Sequence, residues 1–339
     1  WIERLQATGV ICPVQRSKIR GWTRIHAVPE PAKTRFRCIM HTEDINGACG
    51  RDTIDHCVFP TKRTISEAVH DGEWCIALDF SAYYYQFALD PLVGRRMCFS
   101  WNRRFFRLCR LAMGQRQAVD VANASTMCLL DFPHESKRVL SIIDNVLFVG
   151  TRDAVTSDAW TFIQRCKAVR ATLNEIDVTT ATRADVEALA RQAGPWGGLN
   201  INLADKTVAL TQKVVDKTRQ SWANRGRWQW RHFAAHIGLL FWAWGIVELP
   251  MASFFPVLRF NSEVGKMAMQ ALADERRARG LPDDAMPANP FWRQPARVWD
   301  SVAPVLRRWT EMVLANAPRV VRPLLDPEVL LGCDASKWG

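Results

Sequence analysis

The chain has 339 residues, 48% of them apolar, enough to build cores in two or three compact units. Lys and Arg number 45 against 34 Asp and Glu, and the resulting +11 charge points to a polyanionic partner, nucleic acid or an anionic membrane face. The longest apolar stretch, 237–247, is too short to span a bilayer, and 10 scattered Cys argue against a disulfide framework and for an intracellular, reducing compartment, cytoplasm or nucleus.

No secretory leader is visible, and the N-terminus, WIERLQATGV, has no initiator Met and reads as a cut from a longer chain. Residues 1–60 mix short apolar runs with basic residues, Arg16, Lys18, Arg20, Arg24, Lys33, Arg35 and Arg37 among them. Cys38, His41, Cys49 and His56 include zinc-ligand types, but their spacing fits no zinc-finger pattern, so packing roles are expected. WCIALDF (74–80) predicts a buried strand ending at Asp79. Residues 116–130 lack Pro and Gly and predict a helix. VLSIIDNVLFVG (139–150) sets two apolar runs either side of Asp144–Asn145, a hairpin with a tight turn centred on that pair. Helices with a loop are expected over 151–192, then a second hairpin in WGGLNINLADKTVAL (196–210). From 211 to 278 the pattern is helical, broken at Pro250 and Pro256. His232 and His236 have the i,i+4 spacing of a metalloprotease helix but no glutamate between them, which leaves a packed helix. The Pro-rich stretch 281–297 reads as a linker, 298–316 as a Trp-rich helix, and EVLLGCDASKWG as a strand entering a further unit.

Two acids stand out. Asp79 closes an apolar strand and Asp144 sits in the turn of an apolar hairpin, positions where a charge is costly unless compensated, commonly by a divalent cation. Taken singly, each is an ordinary strand-end or turn aspartate. All three tyrosines of the chain, Tyr83, Tyr84 and Tyr85, follow Asp79 in DFSAYYYQF (79–87).

These segments resemble the motifs of one family, the reverse transcriptases of retroelements. LDFSAYYYQFALDP (78–91) is similar to the first palm motif, LAMGQRQAVDVAN (111–123) to the second, and IIDN (142–145) stands where the family has aromatic-x-Asp-Asp. TLNEID (172–177) resembles the fourth motif, WGGLNIN (196–202) the primer-grip hairpin, and LLGCDASKWG the opening strand of an attached ribonuclease H. The ending and the Trp-rich helices lean toward the tyrosine-recombinase (DIRS-like) retrotransposons.

The resemblance implies an α+β right-hand polymerase: fingers and palm over 1–210, a helical thumb over 211–280, a connection over 281–326, and a truncated ribonuclease H start over 327–339. It implies two Mg²⁺ ions, with Mn²⁺ as an alternative, held by Asp79, the Phe80 carbonyl, Asp144 and Asn145. Lys33, Arg35, Arg37, Tyr84, Met113 and Gly114 would border a deoxynucleoside triphosphate, Tyr84 excluding a 2′-hydroxyl, and Trp196, Gly197 and Gly198 would form the primer grip. Partners would be an RNA or DNA template with its primer and no membrane. Asp334 matches the first ribonuclease H metal ligand, without its companions.

Three departures bear on activity. Asn145 replaces the second turn acid, Met113 and Val119 replace residues usual in the second motif, and Asp177 stands where a lysine is common. They keep open a decayed or co-opted polymerase fold that binds nucleic acid without synthesis. An RNA-dependent RNA polymerase is disfavoured, because Tyr84 would obstruct its ribonucleotides.

Overall fold

The computed structural model describes residues 1–30, 35–42, 46, 57–115, 117–247, 251–282 and 289–321. Lys33, Cys49, His56 and the whole of 327–339, with Asp334, lie outside them. The chain opens with α1 (Ile2–Ala7), β1 (Ile11–Pro13), β2 (Arg24–Glu30) and β3 (Arg35–His41), followed by α2 (Lys62–Asp71) and β4 (Trp74–Asp79). After a 3₁₀ turn at Tyr83–Gln86 come β5 (Cys98–Trp101), β6 (Arg104–Leu108), α3 (Ala118–Leu129), β7 (Arg138–Ile142) and β8 (Asn145–Gly150). Next are α4 (Arg152–Ala168), α5 (Arg183–Ala188), β9 (Ala193–Trp196), β10 (Leu199–Asn202) and β11 (Thr207–Leu210). The chain continues through α6 (Gln212–Ala223), α7 (Trp230–Val247), α8 (Phe255–Ala278), α9 (Ala303–Ala315) and β12 (Arg319–Val320).

The central sheet has the order β4-β8-β7, antiparallel throughout. Its middle strand is buried along its length because both faces are covered. Val146 and Phe148 pack with Ile76 and Leu78 against Phe162 and Ile163 of α4. Leu147 and Val149 enter the opposite core with Ile65 and Val69 of α2. That explains an unbroken apolar run where a half-exposed strand would alternate. Each fully buried Phe contributes roughly 2–3 kcal/mol by leaving water.

The second core runs without a break into the C-terminal helices. Trp196 and Leu199 of the hairpin join Phe233 and Leu240 of α7, Phe260 of α8, and Trp309 of α9. Segment 196–210 holds the expected hairpin, β10 paired antiparallel with β11, within a four-stranded sheet, β12-β11-β10-β9. The linker expected over 281–297 is packed chain from 289 onward. Phe291 stacks on Trp230 with centroids 5.4 Å apart, and Asn289 Nδ2 donates to the Ala268 carbonyl. Pro290 sits at the start of a 3₁₀ turn, where its missing N–H costs nothing, so proline here begins an element rather than marking free chain. The break expected at Pro256 is observed, with the residue in the first turn of α8.

His236 shows how the helices are joined. Its Nδ1 is 3.1 Å from Ser221 Oγ on α6 and its Nε2 3.0 Å from Thr310 Oγ1 on α9, with Trp222 stacked alongside. Burial pushes its pKa down to about 4. The folded state holds the neutral ring, so stability is full above the ordinary value of 6.5 and falls as pH drops toward 4. Melting curves between pH 7 and pH 4 are expected to lose up to about 3 kcal/mol that a His236→Gln variant does not lose. A parallel pH dependence in both proteins would assign the acid sensitivity elsewhere.

Candidate active site

The antiparallel register sets Asp79, last residue of β4, opposite Asn145, first residue of β8. The β7–β8 turn centres on Ile143 and Asp144, with Ile142 opposite Asn145, one residue earlier than the Asp144–Asn145 centre expected from sequence. Ile143 has φ +56°, an unfavourable conformation for a β-branched side chain. Thr126 of α3 steadies the turn, its Oγ1 donating to the Ile143 carbonyl at 2.6 Å. Beside it, the Phe80 amide donates to the Asp144 carbonyl at 3.0 Å. Asp79 and Asp144 thus stand at adjoining ends of neighbouring strands.

Segment 172–175 is stapled along Asp79–Ser81. Asn174 N donates to the Asp79 carbonyl at 2.8 Å and Ser81 N to the Thr172 carbonyl at 2.9 Å. Asn174 Nδ2 donates to Asp79 Oδ2 at 2.7 Å, and the Asp79 amide donates to Glu175 Oε2 at 2.9 Å. Gln86 closes the staple, its Nε2 donating to the Ser81 and Thr172 carbonyls while its Oε1 accepts from Thr172 N. Sequence reading assigns neither Asn174 nor Glu175 a role, yet both bond to Asp79. Asp177 turns away into an exposed loop, its Oδ1 accepting from the amide and hydroxyl of Thr179, which lowers its pKa.

The three tyrosines lie on a 3₁₀ turn, which has three residues per turn, so consecutive side chains leave in three directions. Tyr83 points into the helix-backed core, stacked on Phe80 at 4.1 Å, its hydroxyl 2.8 Å from Thr126 Oγ1 and donating to the Ala122 carbonyl. Burial raises its pKa to about 12. Tyr85 packs against the N-terminal core and hydrogen-bonds the Cys38 thiol. Tyr84 is half-buried at the edge of the helix-backed core, and its pKa is raised first by burial and then by the Asp144 carboxylate.

Two glycine sites border this region. Gly114, at φ +100°, offers its carbonyl to Thr42 Oγ1 at 2.8 Å and Asn46 Nδ2 at 2.9 Å, tying the loop before α3 to the end of β3. Gly197 and Gly198 take φ +57° and +91° in the β9–β10 turn. A Cβ on Gly197 would meet Ile142 Cδ1 at 3.0 Å, and one on Gly198 would meet Trp242 Nε1 at 3.5 Å. The glycine tip is therefore wedged between the strand leading into the acid turn and helix α7, with buried Trp196 anchoring it. Met113, next to Gly114, is exposed. Arg35 and Arg37 fall within β3, opposite Glu30 and Val28. Cys38 is buried while His41 is exposed and hydrogen-bonds His26, so this pair does not converge as zinc ligands would.

No known protein-family profile matches the sequence, and no curated protein matches it. Solved structures do. A foamy viral protease-reverse transcriptase dRH in complex with double-stranded DNA superposes with TM-score 0.54 at 12% identity, over 93% of this chain and 47% of that one. A second complex with double-stranded DNA gives 0.53 at 13% identity, over 93% and 56%, and a complex with RNA/DNA hybrid gives 0.51 at 14%, over 92% and 36%. The fold is reverse transcriptase-like. The chain spans between about a third and just over half of those proteins. Among the described residues no helix is long and apolar enough to cross a membrane, and the cysteines are free thiols.

In this reverse transcriptase-like frame the donors at the acid pair are all oxygens: two carboxylates, the Phe80 carbonyl and the Asn145 side-chain carbonyl. That set suits a hard divalent cation such as Mg²⁺ and not a soft one. Among the described residues no third acid, His or Cys completes a cluster.

Proposed function

We propose that this chain is the RNA-directed DNA polymerase of a retrotransposon, extending a primer on an RNA or DNA template from deoxynucleoside triphosphates. The observation that carries it is the placement of Asp79 and Asp144 at adjoining strand ends, with the Gly197–Gly198 tip against Ile142, which leads into the same turn. In this reading 1–210 are fingers and palm, 211–280 the thumb, 281–326 a connection, and 327–339 the opening of a ribonuclease H-like unit.

Asp79, Asp144 and the Phe80 carbonyl would hold two Mg²⁺ or Mn²⁺ ions, with Asn145 offering its amide oxygen. Bound there, such ions supply activation of the primer 3′-hydroxyl and neutralise the departing pyrophosphate. Asn174 fixes the Asp79 carboxylate from behind. Lys33, Arg35 and Arg37 would grip the triphosphate, Met113 and Gly114 would border the nucleotide, and Trp196–Gly198 would hold the primer end. Magnesium-dependent extension of a DNA primer on an RNA template tests the reading. A folded chain that binds primer–template yet extends with neither Mg²⁺ nor Mn²⁺ would sink it.

One observation favours the rival, a co-opted fold that binds without synthesis. Asn145 Nδ2 donates to Asp144 Oδ1 at 3.0 Å, engaging a carboxylate oxygen that a cation would use. Asn145→Asp removes that bond and adds an anionic ligand, so the Mg²⁺ concentration for half-maximal extension is expected to fall severalfold. An unchanged metal requirement would mean that position 145 does not reach the ions.

A further inference from the structure

The N-terminal sheet, order β1-β6-β5, has one face in a core and one face partly open. Ile11, Phe99, Phe106 and Leu108 point inward. Phe105 and Ser100, paired across β5 and β6, point the other way, and Trp22 joins that face through a parallel bridge to Cys98. The end of the face near the β5–β6 turn is uncovered: Ser100 is exposed and Trp22 keeps 47% of its surface in water. Trp22 meets Phe105 edge-on at 5.9 Å, and the Arg16 guanidinium lies 5.9 Å over the same ring.

The surrounding charge has one sign. From Arg4 to Pro29 and from Pro91 to Val119 the sequence contains no Asp or Glu, while Arg16, Lys18, Arg20, Arg96, Arg103 and Arg104 are all exposed. Among the described residues none of these six forms an ion pair. The turn itself adds a second sign of purpose. Asn102 and Arg103 both have positive φ, +47° and +61°, and the second place of such a turn is normally glycine. Here an arginine occupies it, at a backbone cost that glycine would avoid.

The geometry points to a second nucleic-acid site on this face, a platform for single-stranded RNA separate from the acid pair. The exposed Trp22 ring, backed by Phe105, offers a π-face only to unpaired bases, since bases in a duplex are already stacked, and the acid-free arginines follow the phosphates. The site goes beyond the polymerase reading and stands without it.

The test uses the full chain and a fluorescein-labelled, mixed-sequence single-stranded RNA of about 20 nucleotides, read by anisotropy, with a blunt DNA duplex as comparison. Trp22→Ala is expected to weaken RNA binding roughly tenfold and leave duplex binding within twofold, with Trp22→Phe restoring most of the loss. Arg16→Gln should lower the salt slope by about one. Photocrosslinking of 4-thiouridine RNA to the unaltered chain needs no variant and should label peptides spanning 16–24 and 100–107. RNA affinity unchanged in Trp22→Ala, or crosslinks confined to the surroundings of Asp79 and Gly114, overturns the proposal. So does loss of binding to phosphatidylserine vesicles in Trp22→Ala with RNA binding intact, which would make the face a membrane contact.

Discussion

Asp79→Asn and Asp144→Asn are each expected to reduce single-turnover primer extension by at least about a thousandfold, roughly 4 kcal/mol of barrier, while primer–template affinity stays within threefold. Each change replaces one of the two strand-end carboxylates where β4 meets β8 with a neutral side chain of nearly equal size. Affinity for a polyanion would draw on the basic residues instead, which neither variant touches. Asn174→Ala forms the graded control. It leaves both carboxylates in place and removes only the 2.7 Å bond that orients Asp79, so a loss of 10- to 100-fold is expected, with a raised Mg²⁺ requirement. Asp79→Asn retaining near wild-type extension would show that the acids are strand-end residues without chemistry. Equal loss of binding and extension would show that they are structural.

What could be seen in the sequence depended on the range of the forces involved. The strand run at Asn145–Gly150 was legible because six consecutive residues carry the pattern. The turn before it was misplaced by one residue, since the usual preference puts Asp-Asn at the centre and nothing local announces that Ile143 takes φ +56°. That conformation is held from outside, by the Thr126 hydroxyl on α3. The Asn174 contact was invisible for a plainer reason: its partner Asp79 is 95 positions away, and neither residue's neighbours encode the pairing. Prolines misled at 290, where an apolar cluster of Phe291, Trp230 and Phe260 overrides the composition of a linker. The tyrosine run was conspicuous from the start, but only the 3₁₀ geometry separates its three members.

That separation makes Tyr84→Ala the sharpest test of specificity. Its ring is half-buried at the edge of the helix-backed core, whereas Tyr83 is locked into that core and Tyr85 reaches Cys38. If the ring blocks a 2′-hydroxyl by contact, the discrimination is repulsive, and removing the wall chiefly helps the wrong substrate. Tyr84→Ala is therefore expected to narrow the ratio of kcat/KM for deoxynucleotides over ribonucleotides at least tenfold, about 1.4 kcal/mol. Tyr85→Phe should leave that ratio unchanged. Tyr83→Phe should leave it unchanged too, while costing about 1 kcal/mol of stability, because it strips the hydroxyl that Thr126 and the Ala122 carbonyl share. Thermal melting and nucleotide competition on the same preparations separate these effects. Should Tyr84→Ala lose both substrates equally, the ring would be packing against the helix-backed core rather than judging the sugar, and selection would have to reside in another side chain at the acid pair.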